Sequence, residues 1–320
     1  MSIILECIRT VGRGERGRAP LSYEQAFRVM TEYLNGEVGD DQMAMLLMLI
    51  RVQNETQQEI AGFVRAFQAL IPQLSCDMDW PLYAGKRASA GKPWHLLAAR
   101  LLADHGLSVL LHGYHDPEAG REHAEDYLAA FDIPIVDSLE KAHTALSAGK
   151  IAYLPLHAFA PQAQKMLAWK NRYGLRTPIN TVVRALNPGG GRFGVRGSFH
   201  PGFQKLHAEI EYEVGKTAHA VISFKGQSGE SEYNPKVSQT VWLSTPDGVQ
   251  EHYWSSCYQE EVVTLDTCPM GTPDTDKVMM ANSVIATMAA VLFTREQDWA
   301  KALATANGYW QEYVQKAHRA

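Results

Sequence analysis

Residues 156–201 read LHAFAPQAQKMLAWKNRYGLRTPINTVVRALNPGGGRFGVRGSFHP. The run joins a strand end, a helix opened by Pro161, a Gly-Leu-Arg-Thr turn, a second short helix and a Gly/Arg-rich loop. Helix starts and glycine-rich turns present unpaired backbone amides, and such amides beside guanidinium groups favour an anion. Lys165, Lys170, Arg172 and Arg176 precede the consecutive glycines, and Arg192, Arg196, His200 and Lys205 follow them. Lys165, Trp169 and Arg172 share one helix face by their spacing, with Trp169 read as a packing residue.

This basic density stands out because the chain as a whole is acidic, with a formal net charge of −5. Net charge excludes a uniformly basic protein but leaves local patches open, and patches decide what docks. The 320 residues suffice for two unequal domains, and 46% hydrophobic with 20% charged residues is the composition of a folded protein. Cys7, Cys76, Cys257 and Cys268 lie far apart without metal-ligand spacing, so neither a zinc site nor a disulfide scaffold is expected. With no signal-like amino terminus and no run of about 18 apolar residues, the expected location is cytoplasmic and no membrane partner is expected.

Helical spacing dominates the first part of the chain. Residues 3–11 read as a short helix, followed by a polar loop carrying Arg13, Arg16 and Arg18, either a phosphate contact or a solvated connector. Ser22 and Gln25 form a capping box, and Tyr23, Phe27, Met30 and Leu34 recur at helical spacing until Gly36. Asp40 or Asp41 opens a helix that is apolar nearly all round, and residues 56–71 form another, with Ile60, Phe63, Phe67 and Leu70 on one face. Residues 1–75 are therefore a small helical bundle domain, joined by helices from about 160–185.

From residue 76 onward the pattern alternates. Strands are expected at 80–84, 108–112, 151–156 and 218–224, and helices at 95–105, 121–131 and 203–214. A hairpin at 237–254, broken by Pro246-Asp247-Gly248, and two helices at 276–293 and 296–313 complete the chain. The fold class is α/β: a small N-terminal helical bundle domain plus a larger α/β domain, 76–320, with a central mixed sheet flanked by helices.

Phe159-Ala160-Pro161, then Gly174, Arg176, Thr177 and Asn180, then Asn187-Pro188 follow the order found in the middle of anthranilate phosphoribosyltransferases, which the chain resembles. The resemblance implies the nucleoside phosphorylase/phosphoribosyltransferase fold, a homodimer formed through the helical domain, and a phosphoribosyl pyrophosphate donor with magnesium. Several motif positions depart from the family. Where it has a Gly-Thr-Gly-Gly-Asp donor loop, residues 83–92 read YAGKRASAGK, placing Lys86, Arg87 and Lys92 there. The His-Gly-Asn motif is replaced by His112-Gly113-Tyr114-His115-Asp116, and an acceptor-binding arginine by Lys170. The family's metal-binding Asp-Glu pair falls on Ser231-Glu232, leaving Glu232 as the metal ligand, with Glu230 beside it. Gly85, His112, Gly113, Tyr114 and Asn180 mark what remains of the donor and acceptor pocket, and no catalytic residue is assigned.

Within the family the chain most resembles the YbiB-like branch, whose Arg-Gly loop, degenerate donor loop and basic groove are associated with sequence-independent binding of nucleic acid. That resemblance implies a homodimer that binds single-stranded and duplex DNA or RNA without a cofactor. The alternative is an active glycosyl or phosphoribosyl transferase using phosphoribosyl pyrophosphate and magnesium with an altered acceptor, for which Gly226, Gly229, Glu232, Arg176 and Asn180 remain. A third reading is a dimeric interaction protein whose arginines merely face water. The first accounts together for the basic donor loop, the missing magnesium ligand and Tyr114.

Overall fold

Caps and apolar spacing build the first four helices, α1 (Ile3–Gly12), α2 (Tyr23–Leu34), α3 (Asp40–Gln53) and α4 (Gln57–Gln68). The computed structural model describes residues 2–72, 74–115, 120–215 and 220–319. Ser22 Oγ accepts from the Gln25 amide at 3.2 Å while the Gln25 side chain accepts from the Ser22 amide, and Thr56 with Glu59 repeats the device at α4. Each box satisfies helix-start amides that would otherwise have no partner. Helices α2 and α4 cross closely at Gly62, where a Cβ would lie 2.5 Å from the Tyr23 carbonyl and 2.7 Å from Ala26 Cβ.

In chain order there follow β1 (Met78–Leu82), the two-residue β2 (Lys86–Arg87), α5 (His95–Asp104), β3 (Val109–Gly113) and the two-residue β4 (Arg121–Glu122). Next come α6 (Leu139–Gly149), β5 (Ile151–Pro155), α7 (Pro161–Leu167), α8 (Lys170–Tyr173), α9 (Ile179–Val182), β6 (Phe193–Ser198) and α10 (Phe203–Val214). The chain ends in β7 (Ala220–Lys225), the hairpin β8 (Gln239–Thr245) and β9 (Gly248–Trp254), α11 (Lys277–Glu296) and α12 (Trp299–Ala317).

The main sheet has the order β5-β3-β1-β6-β7-β8-β9, parallel through β7, with the hairpin antiparallel at the edge. Alternating residues face opposite layers, as strand geometry requires. Val109, Leu111, Ile151 and Tyr153 enter the core with α5, α11 and α12, whereas Leu110, Ala152 and Leu154 share a core with the helical bundle. Met166, Trp169, Ile179 and Val182, from α7 to α9, lie in that second core. Connections from β1 run one way along the sheet and those from β6 the other, so the order reverses between these strands. A crevice opens outside their carboxyl ends, the usual place for a ligand in such sheets.

Three sequence expectations change, and the expected start of a fourth element lies outside the described residues. The stretch read as a Gly/Arg-rich loop contains β6, a central strand, because Gly194 and Gly197 leave room for the Arg196 guanidinium and for the Glu230 backbone. Residues 121–131 are not an α-helix: Arg121–Glu122 pairs with Lys86–Arg87, and Ala124–Phe131 winds as 3-10 turns. Helix α6 has no counterpart among the expected elements, although Ser138 caps it by accepting from the Lys141 amide. Of the strand expected at 218–224, residues 218 and 219 lie outside the described residues, and the strand spans Ala220–Lys225. Among the described residues α11 is the one helix long and apolar enough to cross a membrane, and it is mostly buried in the core.

Gly62→Ala is expected to cost about 1–3 kcal/mol, because the crossing backbones must move apart. A lower urea midpoint at unchanged slope would register it, whereas an unchanged midpoint would contradict the close crossing of α2 and α4.

Candidate functional site

The crevice between β1 and β6 is closed on its far side by the helical bundle, leaving a cleft of about 190 Å³. Arg51 and Glu55 reach it from the end of α3 and the turn beyond, and Tyr83, Ala84 and Arg87 from the segment after β1. Arg176, Thr177, Asn180, Thr181 and Arg184 line it from the segment around α9, and Ser198, Phe199 and His200 from the end of β6. Phe203 and His207 on α10, Arg121 on β4, and Ser228 and Gly229 after β7 complete the wall. Five arginines thus border one recess. Arg184 donates to the Gly197 carbonyl at 2.9 Å and Arg121 to the Gly85 carbonyl at 3.0 Å, which fixes both guanidinium groups against backbone. Arg87 is exposed, its guanidinium 5.3 Å from the Phe199 ring centre, and Arg176 is exposed as well.

The segment after β1 makes an amide nest, but the chain fills it itself. The Glu230 carboxylate accepts from the Ala84 amide at 2.6 Å and from the Gly85 amide, where Gly85 takes φ +65°. Successive amides in such a bend form an anion-binding concavity, and the anion here is an internal side chain.

Lys86 turns inward. Its ammonium is fully buried, forms an ion pair with Glu232, donates to the Lys92 carbonyl at 2.7 Å and lies 3.9 Å from the Trp94 ring centre. Glu232 also accepts from the His95 amide and from His95 Nδ1, both at 3.0 Å, and from Ser283 Oγ at 3.1 Å. Burial alone would raise this carboxyl, but Lys86 and His95 more than offset it and hold the group at about 2. Lys86 is therefore not a cation open to ligands, contrary to the sequence expectation.

Arg196 and His112 are also structural. Arg196 Nη2 lies 2.8 Å from Asp79 Oδ2 and its Nε 2.6 Å from Glu211 Oε1, all inside the protein. His112 Nε2 lies 3.1 Å from Asp79 Oδ1, and its Nδ1 meets the Tyr83 hydroxyl at 2.8 Å. This buried chain of charges ties β1, β3, β6 and α10 together directly beneath the cleft. Gly113 is required where β3 meets the Leu82 carbonyl, with no room for a Cβ, while Tyr114 is partly exposed and packs on the bundle-side core. Asp116 lies outside the described residues.

The remaining expected cations scatter. Lys165 pairs with Asp40 at 2.6 Å, Lys92 with Glu122 at 3.1 Å, and Lys205 with Glu209 at 3.5 Å. Arg192 pairs with Asp77 at 3.1 Å at the start of β6, the opposite end of that strand from His200. Arg172 is exposed over Tyr173, Lys170 is partly buried, and Trp169 is buried edge-on against Tyr33. Arg13, Arg16 and Arg18 are exposed in the loop after α1, with Arg18 lining a separate small recess. The cleft therefore unites Arg87, Arg176, Asn180 and His200 of the expected residues. It adds Arg51, Arg121 and Arg184, which the sequence reading does not single out, although Arg184 follows Asn180 by one helical turn and that spacing could have found it.

Residues 5–70 match the helical bundle domain of the glycosyl transferase family. The chain is 26% identical over 254 residues to the uncharacterized protein YbiB of Escherichia coli strain K12, covering 77% of this chain and 78% of that one. It is 26% identical over 239 residues to the anthranilate phosphoribosyltransferase of Corynebacterium aurimucosum, covering 72% of this chain and 66% of the relative. Its fold superposes on the anthranilate phosphoribosyltransferase of Thermus thermophilus with a TM-score of 0.71 at 20% identity, covering 99% and 98% of the two chains. In sequence and in fold the chain is similar to the anthranilate phosphoribosyltransferases. A Saccharomyces cerevisiae anthranilate phosphoribosyltransferase in complex with phosphoribosyl pyrophosphate and Mg superposes with a TM-score of 0.63 at 12% identity, covering 99% and 98%.

Magnesium, which the family resemblance implies, does not fit the residues present here. Each Glu232 oxygen already has two partners, one oxygen facing the Lys86 ammonium, and Ser231 has no carboxylate to offer. Glu230 Oε1 is taken by the nest amides, which leaves only its buried Oε2, and among the described residues no three His, Cys, Asp or Glu side chains come together to hold a metal.

Lys86→Met should destabilise the protein by about 3–5 kcal/mol, since it leaves Glu232 charged, buried and unpaired. Lys86→Met with Glu232→Leu should recover most of that loss in the same denaturation assay, and no recovery would argue against the pair. Because Glu232 is depressed from 4.5 to about 2, its contribution is fully present above pH 4.5 and is lost as pH falls toward 2. Acid titration of the double variant should show correspondingly less stability lost over that window. Separately, Glu230→Ala should free the Ala84 and Gly85 amides and add pyrophosphate binding measurable by calorimetry, and absence of any gain would remove the nest from the anion-binding surface.

Proposed function

We propose that this chain binds nucleic acid without catalysing phosphoribosyl transfer, gripping the sugar–phosphate backbone along the arginine-lined cleft. One contrast carries the reading. Five arginines border the cleft, while the amide nest is filled by Glu230 and the Glu232 carboxylate is taken by Lys86, His95 and Ser283. Arginine side chains serve successive phosphates of a polymer well, because each planar guanidinium can donate two parallel bonds to one phosphate. Phe199 beside Arg87 adds an aromatic face next to a cation, a pairing common in grooves for single strands. In this reading the protein acts as a homodimer, to which the exposed Leu5, Phe27, Met45 and Val52 of the helical domain contribute apolar surface.

The test is a titration against labelled single-stranded DNA over a range of salt, with phosphoribosyl pyrophosphate and magnesium as competitor. Affinity should fall steeply with salt and be unaffected by the competitor. The combined Arg87→Glu and Arg176→Glu variant should weaken binding and lower the salt slope by about 0.7 for each phosphate no longer neutralised. Arg192→Glu, at the far end of β6, should leave both nearly unchanged. Displacement of DNA by magnesium phosphoribosyl pyrophosphate would instead return the cleft to transferase chemistry.

A further inference from the structure

The arginines account for the rim of the cleft but not for its floor. Three buried polar atoms of cleft-lining residues have no partner: Glu55 Oε2, Ser198 Oγ and His207 Nδ1. Their residues are 8%, 7% and 2% exposed, respectively. The atoms come from three separate elements, the turn after α3, the end of β6, and α10, yet their residues line one and the same cleft. A common ligand is the simplest reason for three unpartnered groups to share that cleft.

Its chemistry follows from the groups. A carboxylate beside the arginines works against a phosphate, so the floor is not built for one. The carboxylate accepts only, the hydroxyl both donates and accepts, and a neutral imidazole nitrogen does one or the other. Burial, with the charges of Arg184 and Arg196, pushes His207 well below the ordinary histidine range and keeps that ring neutral. Donors and acceptors set side by side match the edge of a nucleobase, and every base carries at least one N–H that a carboxylate can accept. Phe199 and Phe203 flank the same recess and offer aromatic faces for stacking. A cleft of about 190 Å³ admits a single base, whereas a duplex occupies the pairing edges of its bases and keeps them stacked.

We infer that the cleft floor is a subsite for one unstacked nucleobase of a single strand, its edge read by Glu55, Ser198 and His207, with its neighbouring phosphates on the arginine rim. This inference rests on the nucleic-acid reading above and specifies the form of nucleic acid. Because the recognised donor is common to all bases, the subsite discriminates single strand from duplex rather than one sequence from another.

The experiment uses the unmodified protein at one salt concentration and three probes of equal phosphate count: a single-stranded DNA, the same backbone with every base replaced by an abasic sugar, and a duplex. The base-bearing strand should bind at least about fivefold more tightly than the abasic strand, the lower end of what stacking one base supplies. It should also bind more tightly than the duplex. Glu55→Ala should shrink the advantage over the abasic strand without weakening abasic binding, since that substitution removes a negative charge near the phosphates. If all three probes bind alike, the backbone-gripping reading stands and the base subsite is overturned. If none binds, the nucleic-acid reading fails first and the subsite with it.

Discussion

The ion pair between Lys86 and Glu232 sets the character of the whole site. A carboxylate in the sheet's carboxyl-end crevice serves a metal only if at least one oxygen faces open space. Here an ammonium arriving from the segment after β1 occupies that position, and His95 and Ser283 take the remaining capacity. Burying such a pair costs desolvation that only complete hydrogen bonding offsets, and the surroundings supply it, with Trp94 against the ammonium and the Lys92 carbonyl accepting from it. The segment is thereby locked inward, and Arg87, the next residue, is left pointing to solvent at the cleft rim.

A second internal substitution follows from the first. With the segment held in place, the Ala84 and Gly85 amides converge, and Glu230 fills the concavity that they make. The positive ends of the nest and the negative carboxylate cancel locally. What remains attractive to an anion is the guanidinium set contributed by α3, β2, β4 and the segment around α9, spread along a cleft rather than gathered at a point. Spread charge suits a ligand whose own charge is spread.

The Asp79, Arg196, His112 and Glu211 chain plays the complementary part beneath. It commits one arginine and one histidine to joining strands, and so ties the start of β1 to β6, β3 and α10. Whether an arginine in this protein is an internal tie, like Arg196, or lines the cleft, like Arg87, is set by the fold and not by sequence neighbourhood. Sequence proximity misleads in the same way for Arg192 and His200: eight residues apart, they lie at opposite ends of one strand.

By itself the amino-acid sequence determined the features that depend on near neighbours. The capping boxes at Ser22 and Thr56, the hairpin turn at Pro246-Asp247-Gly248 and the limits of α10 need only contacts a few residues away, so they are legible without the fold. The family order of motifs likewise implies the two-part architecture. Tertiary structure alone decided which cations line the cleft and which are paired inside, because their partners are remote: Lys86 meets a carboxylate 146 residues away, and Arg196 an aspartate on another strand. It also decided that 193–198 is a strand, since glycines in a sheet centre are favoured only when neighbouring backbone and a buried guanidinium need the space. A charge written in sequence becomes a site only after the fold has decided which opposite charge it meets.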